Sequence, residues 1–117
     1  MHVHTLTIDC LQPWELAQFW SALLDWPIAQ GDAPGDEEVL IEPRTPGASP
    51  LLFVQEPAGK TGKNRLHLDL KPDDQGAEVE RAVALGATRA DIGQSGEESW
   101  VVLADPEGNE FCILRAG

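Results

Sequence analysis

Leu66-His67-Leu68-Asp69-Leu70, with Pro72 behind it and an amphipathic segment running to Gly86, repeats a pattern met about sixty residues earlier. There Leu6-Thr7-Ile8-Asp9-Cys10 is followed by Pro13 and an amphipathic segment ending near Trp26. Each copy leads into short strand-like pieces. A chain built from two copies of one small unit can set their concave faces opposite each other. The cleft so formed is the kind of place where small-molecule chemistry usually sits.

Around the first copy, residues 3–10 alternate with period two. Val3, Thr5, Thr7 and Asp9 fall on one side, and His4, Leu6, Ile8 and Cys10 on the other, which predicts a half-buried strand. Pro13 suits a first helical position. Leu16, Phe19, Trp20, Leu23 and Leu24 recur at helical spacing, and Pro27 stops the helix. Strands are expected at Pro27–Gly31, Glu38–Glu42 and Leu51–Gln55, with turn chemistry at Asp32–Asp36 and a loop over Pro43–Pro50. In the second copy Arg65–Leu70 reads as a strand. Asp73 and Asp74 favour a helix N-terminus, and Val79, Ala82, Val83 and Gly86 are the expected buried face, with Gly86 as its stop. Thr88–Ile92, Trp100–Leu103 and Phe111–Leu114 are expected strands. Gly93–Glu97 and Asp105-Pro106-Glu107-Gly108-Asn109 are expected turns. The order is β-α-β-β-β twice.

The chain has 117 residues, enough for one domain with a modest core, and its 42% hydrophobic content argues against global disorder. Its formal net charge of −12 repels phosphate backbones and anionic lipid, so nucleic acid and membrane surfaces are excluded as expected partners. No apolar run approaches the roughly 20 residues that span a bilayer. Met1-His2-Val3-His4 lacks the features of a secretory leader. Two cysteines, Cys10 and Cys112, suit a reducing compartment, and the expected location is the cytoplasm.

The strand order, Phe19-Trp20 late in the first helix, Leu85-Gly86-Ala87 and the turn Asp105-Pro106-Glu107-Gly108-Asn109 resemble the vicinal oxygen chelate superfamily. That superfamily includes glyoxalase I, extradiol dioxygenases, fosfomycin-modifying enzymes and bleomycin-resistance proteins. Ile8-Asp9-Cys10, Asn64-Arg65-Leu66-His67-Leu68-Asp69-Leu70 and the run to Phe111-Cys112 look like its small bacterial glyoxalase-like domain group. The resemblance implies an α+β fold of two βαβββ modules forming a curved, mostly antiparallel eight-stranded sheet around a cleft, helices outside. It implies a single domain over 1–117, with modules at 1–56 and 64–117 joined by 57–63, and a homodimer.

The resemblance also implies a divalent metal held by His, Glu or Gln on the first and last strands of each unit. His67 matches the family histidine. The family glutamate, seven residues beyond Asp105, is replaced here by Cys112. In the first unit Thr5 or Thr7 and Gln55 stand at the remaining positions, so the usual ligand set is incomplete, and His67 is the expected ligand if a metal binds at all. His2 and His4 share a face with Leu6 and Ile8 and would need a bulge to turn inward.

His67 shares its strand face with Arg65 and Asp69, and an imidazole beside carboxylates suits acid–base work near neutral pH. Its alternative is a structural histidine. Asp9 and Asp69 are related by the repeat and serve either as an acid–base pair or to fix strand ends. Cys112 is a nucleophile if a neighbour lowers its pKa, and otherwise an apolar filler; Cys10 belongs to the core. Glu110 shares the parity of Cys112. Trp100 either stacks on a planar ligand or packs across strands. Lys60, Lys63, Arg65 and Lys71 hold half of the eight basic residues within twelve positions, as an anion-steering patch or a solvated linker.

The expectation is a glyoxalase-like protein that binds a small polar organic molecule, with His67, Asp69 and Glu110 for lyase- or isomerase-type acid–base chemistry. Thr5, Thr7, Asp9, Gln55, Arg65, Trp100 and Cys112 are the expected substrate contacts. The alternatives are a non-catalytic drug-sequestering module and a divalent-metal-dependent lyase or dioxygenase.

Overall fold

The computed structural model describes residues 1–58, 62, 64–90 and 100–116. The expected turn at Gly93–Glu97, the end of the expected strand at Thr88–Ile92, and Lys60 and Lys63 lie outside the described residues. The chain divides into two compact units, Met1–Thr61 and Gly62–Gly117.

The first unit runs β1 (Leu6–Cys10), α1 (Pro13–Leu24), β2 (Glu38–Ile41) and β3 (Leu51–Gln55). Its sheet has the order β1-β3-β2, parallel between β1 and β3 and antiparallel between β2 and β3. Pro13 sits in the first turn of α1, where its missing N–H costs nothing. Asp25 ends the helix in the left-handed conformation, φ 58°, while Ser21 Oγ donates to Trp26 O at 2.6 Å. Leu16, Ala17, Phe19, Trp20 and Leu23 are buried with Cys10, Val39, Ile41, Leu51 and Phe53. Phe19 and Trp20 meet edge to face at 5.3 Å.

The strand expected at Pro27–Gly31 contracts to an isolated bridge between Ile28 and Ile41. Ala29 N donates to Leu40 O at 2.9 Å, which starts a ladder. Glu42 N donates back to Pro27 O at 2.9 Å, but the bond from Leu40 N to Ala29 O that would extend the ladder does not form, because Asp32 Oδ2 takes the Leu40 N–H at 2.9 Å and Ala29 O accepts from Asp32 N. An aspartate side chain thus competes with the sheet for the same backbone donor.

The second unit runs β4 (Asp69–Leu70), α2 (Gln75–Leu85), β5 (Thr88–Arg89), β6 (Trp100–Ala104) and β7 (Glu110–Leu114). Its sheet has the order β4-β7-β6-β5, with β4 parallel to β7 and the other pairs antiparallel. Asp74 caps α2 by accepting from Ala77 N at 3.1 Å, and Gly86 closes it at φ +125°. Val79 and Ala82 are buried, but Val83 is 43% exposed. The buried stripe of α2 is therefore narrower than its apolar pattern suggests. Asp105, itself buried, accepts from the backbone N–H of Glu107 and of Asn109 and so ties the β6–β7 turn.

The strand expected at Arg65–Leu70 is cut to Asp69–Leu70. Leu68 O still accepts from Cys112 N at 2.9 Å, but Asn64 Nδ2 occupies Glu110 O at 3.1 Å, where the next rung of a parallel ladder would bond. Among the described residues there are seven strands and two helices. The eight expected strands become seven, and the α+β class holds. No helix among the described residues is long and apolar enough to cross a membrane.

Phe53 is fully buried, so Phe53→Ala should destabilise the protein by about 3–5 kcal/mol, against about 1 kcal/mol for Asp74→Ala. Urea titration of the two variants beside the parent checks the ratio.

Candidate functional site

Side chains alternate across a sheet, and directly paired residues share a face. On β7, Phe111 and Ile113 face the buried side with Leu103 and the apolar stripe of α2. Glu110, Cys112 and Leu114 therefore face the opposite, open side. The register sets Cys112 between Asp69 and Val102, Leu114 opposite Trp100, and Glu110 opposite Ala104. Trp100 is 44% exposed on this face.

His67 stands just before β4, and its Nε2 lies 3.4 Å from Asp69 Oδ1. Donor atoms of His67, Asp69 and Cys112 all lie within 4.8 Å of one another. The imidazole and the carboxylate are 55% and 53% exposed, whereas Cys112 is 9% exposed and forms the floor. Burial pushes the Cys112 thiol above its usual value of 9.0. The charge of Asp69, a hydrogen bond to its carboxylate and the charge of Glu110 push the same way. The carboxylate neighbours both the thiol and the imidazole. Cys112 is thereby kept protonated, the opposite of what an activated nucleophile needs.

The other expected contacts distribute as follows. Thr7 and Asp9 share the open face of the first unit's sheet with Leu52 and Val54. Thr5 lies one residue before β1, its Oγ1 2.7 Å from His4 Nδ1. Gln55 is registered opposite Cys10, hence on the helix-side parity, and its Nε2 reaches Leu11 O at 3.5 Å. It does not join Thr7 and Asp9. Arg65 is exposed in the bend before β4. Glu110 is half-buried at the start of β7. Sequence reading passes over Asn64 as a site residue. Its amide is bonded through Nδ2 to Glu110 O, while its buried Oδ1 has no hydrogen-bond partner among the described residues. Only the pairing register could have shown this. An open hollow of about 690 Å³ in the first unit is lined by His2, Val3, His4, Gly47, Ala48 and Ser49. Its two imidazoles are exposed and lie outside β1.

A borderline divalent ion asks for imidazole, carboxylate or thiolate donors about 3.5 Å apart around it. The His67–Asp69 separation already meets that spacing, and no separation in the trio is greater than 4.8 Å. The second unit's residues fit such an ion, with the altered donor Cys112 in place of a carboxylate. In the first unit, Thr5, Thr7 and Gln55 offer no comparable set.

These modules define a protein of the vicinal oxygen chelate fold. The glyoxalase-like domain profile matches residues 5–114, and the chain belongs to that family. Among solved structures, a glyoxalase/bleomycin resistance protein/dioxygenase family enzyme from Burkholderia phytofirmans is similar, with TM-score 0.76 and 19% identity over 98% of each chain. The antibiotic binding protein TnmS3 from a Streptomyces species gives TM-score 0.67 and 21% identity over 100% of this chain and 97% of its own. The fosfomycin resistance protein FosX from Mesorhizobium loti gives TM-score 0.66 and 14% identity over 96% and 89%. At these identities the likeness is one of fold. No curated protein matches the chain by sequence.

Asp69→Asn removes the nearest charge holding the thiol neutral, so alkylation of Cys112 should quicken, about tenfold for each unit by which its pKa falls. Peptide mass spectrometry after timed iodoacetamide treatment reads this. Because the folded-state pKa lies above the unfolded one, the stabilisation is full below the unfolded value and is lost as pH rises through the folded one. Cys112→Ala should flatten that loss in melts taken alkaline of the usual thiol value.

Proposed function

We propose that the protein binds a small polar organic molecule on the open face of the second unit's sheet, and that His67 exchanges a proton with it. The observation that carries this reading is the convergence of His67, Asp69 and Cys112 on a sheet face whose other members, Glu110 apart, are apolar or aromatic. With Nε2 turned to Asp69, the neutral imidazole keeps its proton on Nε2, and Nδ1 is left as the base. An acidic C–H of the ligand gives its proton to Nδ1, and the imidazolium, held by Asp69, returns it to a neighbouring atom. That is isomerase- or lyase-type chemistry. Asp69 and Glu110 set the local charge, and Arg65 is a further proposed contact of the same unit; Thr5, Thr7 and Asp9 belong to the first unit, and Gln55 lies on its helix side.

Where a divalent cation is bound, His67, Asp69 and Cys112 would hold it, and it would polarise a ligand oxygen as a Lewis acid. The cytoplasm and a homodimer complete the proposal, supported by two free cysteines and by the family resemblance. So does a single domain whose modules span 1–56 and 64–117, joined by 57–63.

A second reading, sequestration without chemistry, is favoured by exposed Trp100 beside Leu114 and Val102 and by the −12 charge, which suits cationic drugs. A thermal-shift screen of carbonyl compounds and aromatic cations, run with chelator present, separates the two. Trp100→Ala should abolish the shift of any hit. His67→Ala should keep the shift but slow deuterium exchange into the ligand by about 10²–10⁴-fold. A hit whose exchange ignores His67 leaves sequestration standing. Hits untouched by either substitution would place the site elsewhere.

A further inference from the structure

The strand expected at Arg65–Leu70 breaks off beside His67, and the break leaves two unfavourable features in place. Leu66, which a regular strand would turn to the helix side with Leu68 and Leu70, is 83% exposed in the bend at Arg65 and Leu66. The Oδ1 of Asn64 is buried with no hydrogen-bond partner among the described residues. Local stability given up at one point of a fold marks a place shaped by function. We infer that Asn64 is a positioning residue for His67: its side-chain amide holds the β4–β7 ladder one rung short and so lets the imidazole fold onto Asp69. The functional side of this inference rests on the proton-exchange role proposed for His67.

The register supplies the mechanism. Asp69 is paired with Cys112, so a strand continued backwards would set Leu68 opposite Phe111 and His67 opposite Glu110. Its next hydrogen bond would run from Leu68 N to Glu110 O. Asn64 Nδ2 donates to that same oxygen at 3.1 Å. On a regular strand, residues two apart are separated by about 6.5 Å along the chain. An imidazole held in that row would stand beside Glu110, a full pleat from Asp69. Outside the strand, His67 brings Nε2 to 3.4 Å from Asp69 Oδ1, and Nδ1 is the nitrogen left for a ligand. Asn64 thus acts through the backbone of β7 and of the bend, without a part in the chemistry itself.

Asn64→Ala and Asn64→Asp in the full chain test this. Both remove the amide donor, and the second keeps the side-chain shape. With no ligand present, nuclear magnetic resonance should show the Leu68 amide exchanging about fivefold more slowly in Asn64→Ala, because its N–H gains Glu110 O. The Overhauser contact between the His67 ring and the Asp69 methylene should disappear in both variants. The Tm of Asn64→Ala should hold or rise, since the orphaned Oδ1 leaves together with the donor. A residue that only ties down the bend predicts a lower Tm with the ring contact and the Leu68 exchange unchanged, and that result would overturn the inference. Asn64→Asp keeps the test open should Asn64→Ala fail to fold. For a hit of the ligand screen, both substitutions should leave the affinity unchanged and slow deuterium exchange into it about a hundredfold, as a small misplacement of a catalytic group does. A screen without hits ends the proposed chemistry and leaves the ligand-free measurements to decide the role of Asn64, so the two readings can fail separately.

Discussion

The pairing of Asp69 with Cys112 across the parallel β4–β7 ladder is the contact on which the second unit's candidate site depends. A one-residue slip would turn Phe111 and Ile113 to the open face and bury Glu110 and Cys112 under α2. The buried residues Leu103, Phe111, Ile113, Val79 and Ala82 forbid that slip, because each would lose its apolar surroundings. The ladder is short, and Asn64 bounds it by taking Glu110 O. His67 is thereby released from the strand while its ring remains next to Asp69.

The order of groups in the trio sets its character. In a nucleophilic cysteine site the imidazole adjoins the thiol and takes its proton. Here the carboxylate adjoins the thiol, and burial and negative charge act together to keep the proton on sulfur. The imidazole and the carboxylate are the exposed members, and the thiol is the buried one. Proton exchange through His67 is the proposed use consistent with a protonated thiol.

Much of this was legible beforehand. β3 could be read at Leu51–Gln55 from its apolar run, α1 from Pro13 and its stripe, and α2 from Asp74 and Gly86. Each of these depends on local periodicity or on a capping residue, which the chain carries within a few positions. The two strands that shrank, at Pro27–Gly31 and Arg65–Leu70, did so because Asp32 and Asn64 side chains bond to backbone groups eight and forty-six residues away. No local pattern reports that competition. Gln55 failed to join Thr7 and Asp9 for a related reason, since its face is set by the β1–β3 register.

The amino-acid sequence alone determined the repeat, the family and the candidacy of His67, Asp69, Glu110 and Cys112, because period-two alternation and spaced motifs survive without coordinates. Tertiary structure decided that three of these converge and that the thiol is held neutral. Distance between side chains on different strands, and the dielectric around a buried sulfur, are properties of packed neighbours and have no counterpart in linear order.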